Sequence, residues 1–263
     1  MRPNRWPRQR DGKRLALTLM ELVVVLAILV ILAGMIIANL DGILSKGHSA
    51  QGASVIGELM RLMDSYRAIH GRYPDIYDSM LNASGTPYEH LLPGAKQKYV
   101  PATLTQNEVD SLILAGIEQV LRHDESADVP VNDSAVLPPV VLTTSTPVMK
   151  FDVTNLEVQK VLLDEWRQTP DDVLGPSGDG SDALSTYVVF GVGPRCTICN
   201  GKTGLMRDAP IHQDTDPGRF YNRFVVVFAT SKEPGEKAVF VGAVGPDGDT
   251  MGTHLKEFIG GAN

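Results

Sequence analysis

Between Leu22 and Ala38 the chain runs for seventeen consecutive residues without a charge, and nearly all of them are apolar. Widened to Leu17–Leu40, the run holds twenty-four residues and one charge, Glu21. At 1.5 Å per residue a helix of that length reaches about 36 Å, enough for a hydrocarbon core of about 30 Å. Past Asp41-Gly42 polar residues return while the helical spacing continues. Val55, Leu59, Leu62, Tyr66 and Ile69 recur every three or four positions, and Ile56 and Met63 widen the stripe. Gly71 and Pro74 are stop signals. The pattern predicts one helix from Leu17 to His70, bent near Gly34 or Asp41-Gly42. Its part 17–40 is the membrane segment, and its part 41–70 presents an apolar stripe to a globular region, 71–263.

Strand patterns come late. Thr186–Val192, Arg223–Thr230 and Ala238–Val244 are rich in Val, Phe and Tyr and are bounded by Gly, Pro and charged residues. The polar loop Ser231–Lys237, with Pro234-Gly235, joins the last two as an antiparallel hairpin. Val109–Leu121 has helical spacing, whereas Val129–Pro147, with four prolines, reads as an extended loop. The stretch 86–150 is therefore expected to be an insertion decorating the core. Together these elements predict an α+β fold, with a long N-terminal helix packed on a small antiparallel sheet.

Charge sharpens the membrane reading. Residues 1–16 carry six basic side chains against Asp11 alone, while the whole chain of 263 residues has a net charge of −7. A cationic leader before an apolar helix keeps the N-terminus cytoplasmic and sends the acidic body outward. That body argues against nucleic acid as a partner, since phosphate contacts need a basic face. A cleaved signal peptide is the alternative, but its apolar region is shorter and ends in a small-x-small site. Glu21 inside the run costs about 2.5–3.5 kcal/mol at mid-membrane, so it needs a partner. A cut between Ala16 and Leu17 would create an α-amine four residues before it, able to neutralise the carboxylate of a neighbouring subunit.

Ala16-Leu17-Thr18-Leu19-Met20-Glu21-Leu22, followed by Val, Ile and Leu, resembles the processing site of type IV prepilins and pseudopilins. The resemblance implies cleavage by a prepilin peptidase after Ala16, methylation of the Leu17 amine, and a role for Glu21 in assembly. The family more often has Gly before the cut and Phe after it; Ala16 and Leu17 keep the residue class. Three further segments resemble the major pseudopilin of type II secretion. Tyr66-Arg67-Ala68-Ile69-His70-Gly71-Arg72-Tyr73-Pro74 matches its helix-ending pattern. Leu163-Asp164-Glu165-Trp166 with Pro170 is similar to its Asp-x-Trp-Gly-x-Pro turn, with Arg167 in place of the glycine. Gly245-Pro246-Asp247-Gly248, with Gly252-Thr253, resembles its C-terminal loop. About half the chain is unmatched.

The resemblance implies calcium at that C-terminal loop, with Asp247 and Asp249 as the carboxylate ligands. A plain Asp-Gly turn competes with it, because calcium prefers six to eight oxygens and only two carboxylates are present. Asp171-Asp172 and Asp179-Gly180-Ser181-Asp182 lack EF-hand spacing and read as a solvated turn. Cys196-Thr197-Ile198-Cys199 has thiol-redox spacing, but the Gly, Pro and Asn around it suggest a loop, and outside the cytoplasm a local disulfide is expected. Gly201-Lys202-Thr203 lacks the first glycine of a phosphate loop, since Cys196 holds that position. His48, His70, His90, His123, His212 and His254 form no catalytic signature and read as surface residues.

Two classes of function follow. One is a filament subunit and not an enzyme: a pseudopilin of type II secretion or, close to it, a type IV pilin serving adhesion, motility or DNA uptake. It would sit in the inner membrane as a single-pass protein. Its partners would be copies of itself, other pseudopilins, the peptidase and the assembly platform. The other is a membrane-tethered extracytoplasmic enzyme or binding protein using the cysteine pair or an acidic loop.

Overall fold

The computed structural model describes residues 19–125, 137–200, 204–213 and 216–260, with the side chains of 35–43 excepted. Two compact units divide the chain, Met1–Leu44 and Ser45–Asn263. Helix α1, Leu19–His70, is 52 residues long and is the long N-terminal helix expected from the spacing. Among the described residues no helix is long and apolar enough to cross a membrane.

Within 45–263 the order is β1 (Tyr77–Asn82), α2 (Pro93–Lys98), β2 (Tyr99–Ala102), α3 (Gln106–Ala115), β3 (Gln119–His123), β4 (Val140–Val141) and β5 (Val148–Phe151). There follow α4 (Leu156–Lys160), α5 (Pro170–Val173), β6 (Ser185–Gly191), β7 (Val225–Ser231), β8 (Val239–Val244) and α6 (Met251–Gly260). The sheet runs β2-β5-β6-β1-β3-β4, with β7 joining β6 and β8 joining β7. Among the described strands, only β1 and β3 pair in parallel. The architecture is α+β on a mostly antiparallel sheet, and β7–β8 is the expected antiparallel hairpin.

Both faces of the sheet are covered. Val188 and Phe190 of β6, with Val226 and Phe228 of β7, pack among Ile56, Leu59, Met63 and Tyr66 of α1 and Val109 and Leu112 of α3. Their neighbours Tyr187, Val189, Val225 and Val227 pack on the other face against Ala95, Val158 and Leu162. Strands buried on both sides read as continuous apolar runs, which is how β6 and β7 appear in the sequence.

The stretch 86–150 is no decoration. It supplies β2, β3, β4 and β5 to the sheet, and Leu112, Ile117, Val120 and Val148 to the core. The helical spacing of Val109–Leu121 divides at Gly116, whose φ of 102° ends α3 in the left-handed conformation. Val120 and Leu121 then become buried positions of β3. Thr105 and Glu108 close a capping box at the start of α3.

Candidate functional site

The processing residues Ala16 and Leu17 lie outside the described residues. Glu21 is an exposed residue in the first turn of α1, where the helix dipole favours a carboxylate.

At the other end of the chain, β8 leads into a tight turn before α6. Gly245 N–H donates to the Asp249 carbonyl at 2.7 Å, and Gly248 N–H donates to the Gly245 carbonyl at 3.0 Å. Asp249 N–H donates to Asp247 Oδ1 at 3.0 Å. Gly248 has a φ of +83°, and a Cβ there would stand 2.8 Å from Lys98 Cδ, so only glycine fits. Burial and then the neighbouring Asp249 push the Asp247 carboxyl above its ordinary range. The Asp249 carboxylate is engaged: Lys98 Nζ lies 2.6 Å from its Oδ1 and 3.8 Å from Glu157 Oε2. The structure thus brings the two expected ligands together but sets an ammonium against one of them. That donor set does not fit calcium, which binds oxygens and would have to displace the cation already there. Among the described residues no group of three or more His, Cys, Asp or Glu side chains is arranged to hold a metal ion.

Cys196 and Cys199, the pair expected to form a disulfide, are both free and buried here. They bracket a single 3₁₀ turn, Thr197–Cys199, closed by Cys199 N–H donating to the Cys196 carbonyl at 2.9 Å. Both sulfurs are buried in the core beside α1. Burial pushes the Cys196 thiol well up, and pushes Cys199 up to about 11. A thiol is oxidised through its thiolate, which this setting disfavours. Thr197 between them anchors the turn: its N–H donates to the Asp75 carbonyl, and its hydroxyl accepts from Asp75 N–H and from Tyr66 of α1.

The motif residues have physical roles. Gly71, φ +70°, ends α1, and its N–H donates to the Arg67 carbonyl. Arg67 Nη1 donates to the Tyr73 hydroxyl at 2.7 Å, and that hydroxyl accepts from Phe240 N–H of β8. Tyr73 N–H donates to the Ala115 carbonyl of α3, so one residue ties the helix end to two other elements. After the π-helical turn Val161–Glu165, Arg167 adopts a φ of 54°. The left-handed conformation that suits glycine is therefore held here by an arginine. The Asp179–Asp182 patch is an exposed turn as expected: Ser177 donates to both carboxylates and draws Asp179 down to about 2.

One buried polar cluster escaped the sequence. Asp78 of β1 meets His123 of β3, whose Nε2 lies 2.9 and 2.8 Å from the two carboxylate oxygens. Tyr88 stacks on the imidazole at 4.0 Å, and Tyr221 stands edge-on at 5.5 Å. Gly191 pairs with Asp78 across the sheet, and a Cβ on it would fall 1.9 Å from the Tyr221 hydroxyl. The surface reading of the histidines is corrected: His123, His212 and His254 are all buried. His212 and His254 stack at 5.3 Å, where Gly52 of α1 approaches both rings. Parallel pairing of β1 with β3, which sets His123 beside Asp78 across 45 residues of sequence, was the missing information. Helix α6 was also missed, although Met251, Leu255, Phe258 and Ile259 have helical spacing.

Comparison with known protein families, with curated proteins and with solved structures finds no match.

Proposed function

We propose that the chain is a pseudopilin-like filament subunit of a type II secretion system. A prepilin peptidase cuts between Ala16 and Leu17, and the subunit assembles through its N-terminal helix. The observation that carries this reading is the place of Glu21. It is the one charge of the apolar run 17–40, five residues into the processed chain and in the first turn of the 52-residue α1. The segment 17–40 is the membrane anchor, with the basic leader cytoplasmic and the body 71–263 extracytoplasmic. Its partners are copies of itself, other pseudopilins, the peptidase and the assembly platform of the inner membrane. Support also comes from the helix-ending residues Arg67, Gly71 and Tyr73, which lock α1 to β8 and α3 as a subunit hung from one helix requires.

In this account Glu21 pairs with the Leu17 amine of a neighbour. Glu21→Val removes a carboxylate that costs up to about 3 kcal/mol in the membrane, so insertion of the single subunit becomes easier. It also leaves the neighbour's amine unpaired in a low dielectric, at a cost of several kcal/mol. The variant is expected to be processed and to accumulate in the membrane, yet to give no crosslinked multimers and no secretion. Wild-type multimers from Glu21→Val would sink the proposal.

A further inference from the structure

Calcium is expected at the C-terminal turn only through the pseudopilin reading, and the residues present depart from it. We propose that the Lys98 ammonium takes the place of calcium there, so that the turn is locked by a cation built into the chain. Three observations meet at this point. Lys98 Nζ is 2.6 Å from Asp249 Oδ1, and the lysine side chain is 12% exposed. Its stem lies along the turn, because Gly248 leaves no room for a side chain between the two. Helix α2 touches the turn a second time at Gly94, where a Cβ would stand 3.0 Å from the Asp247 carbonyl. The helix that carries the cation is therefore packed on the turn at both of its ends. Its last residue delivers the charge to the carboxylate of Asp249, one of the two expected ligands.

The chemistry is a substitution of one counter-ion for another. A divalent ion would gather carboxylate, carbonyl and water oxygens. A lysine supplies one positive charge and three donors from a fixed stem, and it needs no free metal. Asp249 is satisfied by that charge, while Asp247 turns its Oδ1 to the Asp249 N–H within the turn. Seating calcium against Asp249 would require the ammonium to leave a site in which nearly all its stem is packed. Regulation by calcium is thereby removed from this turn and from α6, which begins two residues later.

The test uses the full chain extracted in detergent, with limited proteolysis of the α6 region followed by mass spectrometry. Cleavage of the wild type is expected to proceed at the same rate in EGTA and in millimolar calcium chloride. Titration of calcium chloride into it should give no saturable heat. Lys98→Met keeps the stem and removes the charge. Its α6 region should be cut about tenfold faster or more, since a charged hydrogen bond exceeds the 1.4 kcal/mol that makes a factor of ten. Calcium chloride should restore part of that protection, because the Asp249 carboxylate then has no ammonium against it. Lys98→Arg keeps a charge and should remain indifferent to calcium. Protection of the wild type by calcium, or no change in cleavage on Lys98→Met, would overturn the proposal. Should Lys98→Met fail to fold, the wild-type titration still decides it. The cut after Ala16 is read in the same spectra, so failure of the pseudopilin reading shows separately from failure of this one.

Discussion

Replacing Asp78 with alanine should weaken the sheet domain more than almost any other single polar change. The carboxylate accepts from His123 Nε2 through both oxygens and from the Met80 N–H at 2.8 Å. Met80 has a φ of 57° and Ile76 a φ of 61°, so left-handed residues flank Asp78 on both sides. Left-handed conformations of this kind cost about 1 kcal/mol or more each and persist only where neighbours hold them. The side chains of His123 and Asp78 are 2% and 6% exposed, so water screens the pair very little. A hydrogen bond to a charged carboxylate is worth about 1.5–3 kcal/mol, and a buried imidazole that loses this acceptor costs about 1–3 kcal/mol more. Loss of the Met80 cap adds to either figure. Asp78→Ala is therefore expected to cost about 3–5 kcal/mol. Asp78→Asn keeps an oxygen for Met80 and should cost about half as much. The double variant Asp78→Ala/His123→Phe removes both polar partners and keeps an aromatic plane against Tyr88. It should lose less than the sum of its single variants by about 1 kcal/mol or more. Urea unfolding of the detergent-extracted protein, followed by near-ultraviolet circular dichroism, measures each loss. A cost below about 1 kcal/mol for Asp78→Ala, or strict additivity in the double variant, would refute the reasoning.

Three further outcomes are expected. Arg167→Gly should raise stability by about 0.5–1 kcal/mol in the same urea assay, because it relieves the φ of 54° at an exposed position, and a loss would contradict the strain argument. At pH 8 an ordinary thiol is about one-quarter thiolate, whereas one raised to about 11 is about one-thousandth thiolate, so Cys199 should alkylate roughly two-hundredfold more slowly in the folded protein than after unfolding. The raised value makes deprotonation cheaper in the unfolded chain, so the fold should also lose stability as pH rises from the ordinary thiol range toward 11. Unfolded protein that alkylates only after a reductant is added would restore the disulfide.

The elements legible in the sequence are those whose signal is local. The three or four-residue spacing of Val55 to Ile69 sets α1, and Gly71 ends it. The apolar runs before and after Pro234-Gly235 set the β7–β8 hairpin. Illegible were the contacts made across long separations. Leu121 has a place in helical spacing with Val120 and Ile117, and only Gly116 and the parallel partner β1 turn it into a strand residue. Short strands such as Val148–Phe151 carry too few residues to show a period, and they gain their identity from the neighbours that bury them. The site divides the same way. The Ala16-Leu17 and Glu21 spacing lies within one segment, as do Asp247 and Asp249. Lys98 is 151 residues from Asp249, and nothing near either residue announces the pair. Buried His123 reads like any polar position until Asp78 is placed beside it.

The N-terminus of the protein extracted from membranes bears most directly on the account. Intact-mass and terminal-peptide mass spectrometry should find a chain beginning at Leu17, its α-amine methylated, once a prepilin peptidase is present. It should find the longer chain from Met1 when the peptidase is absent. A mature protein that still begins at Met1 with the peptidase present, or one that begins near Gln51, would contradict the filament-subunit account.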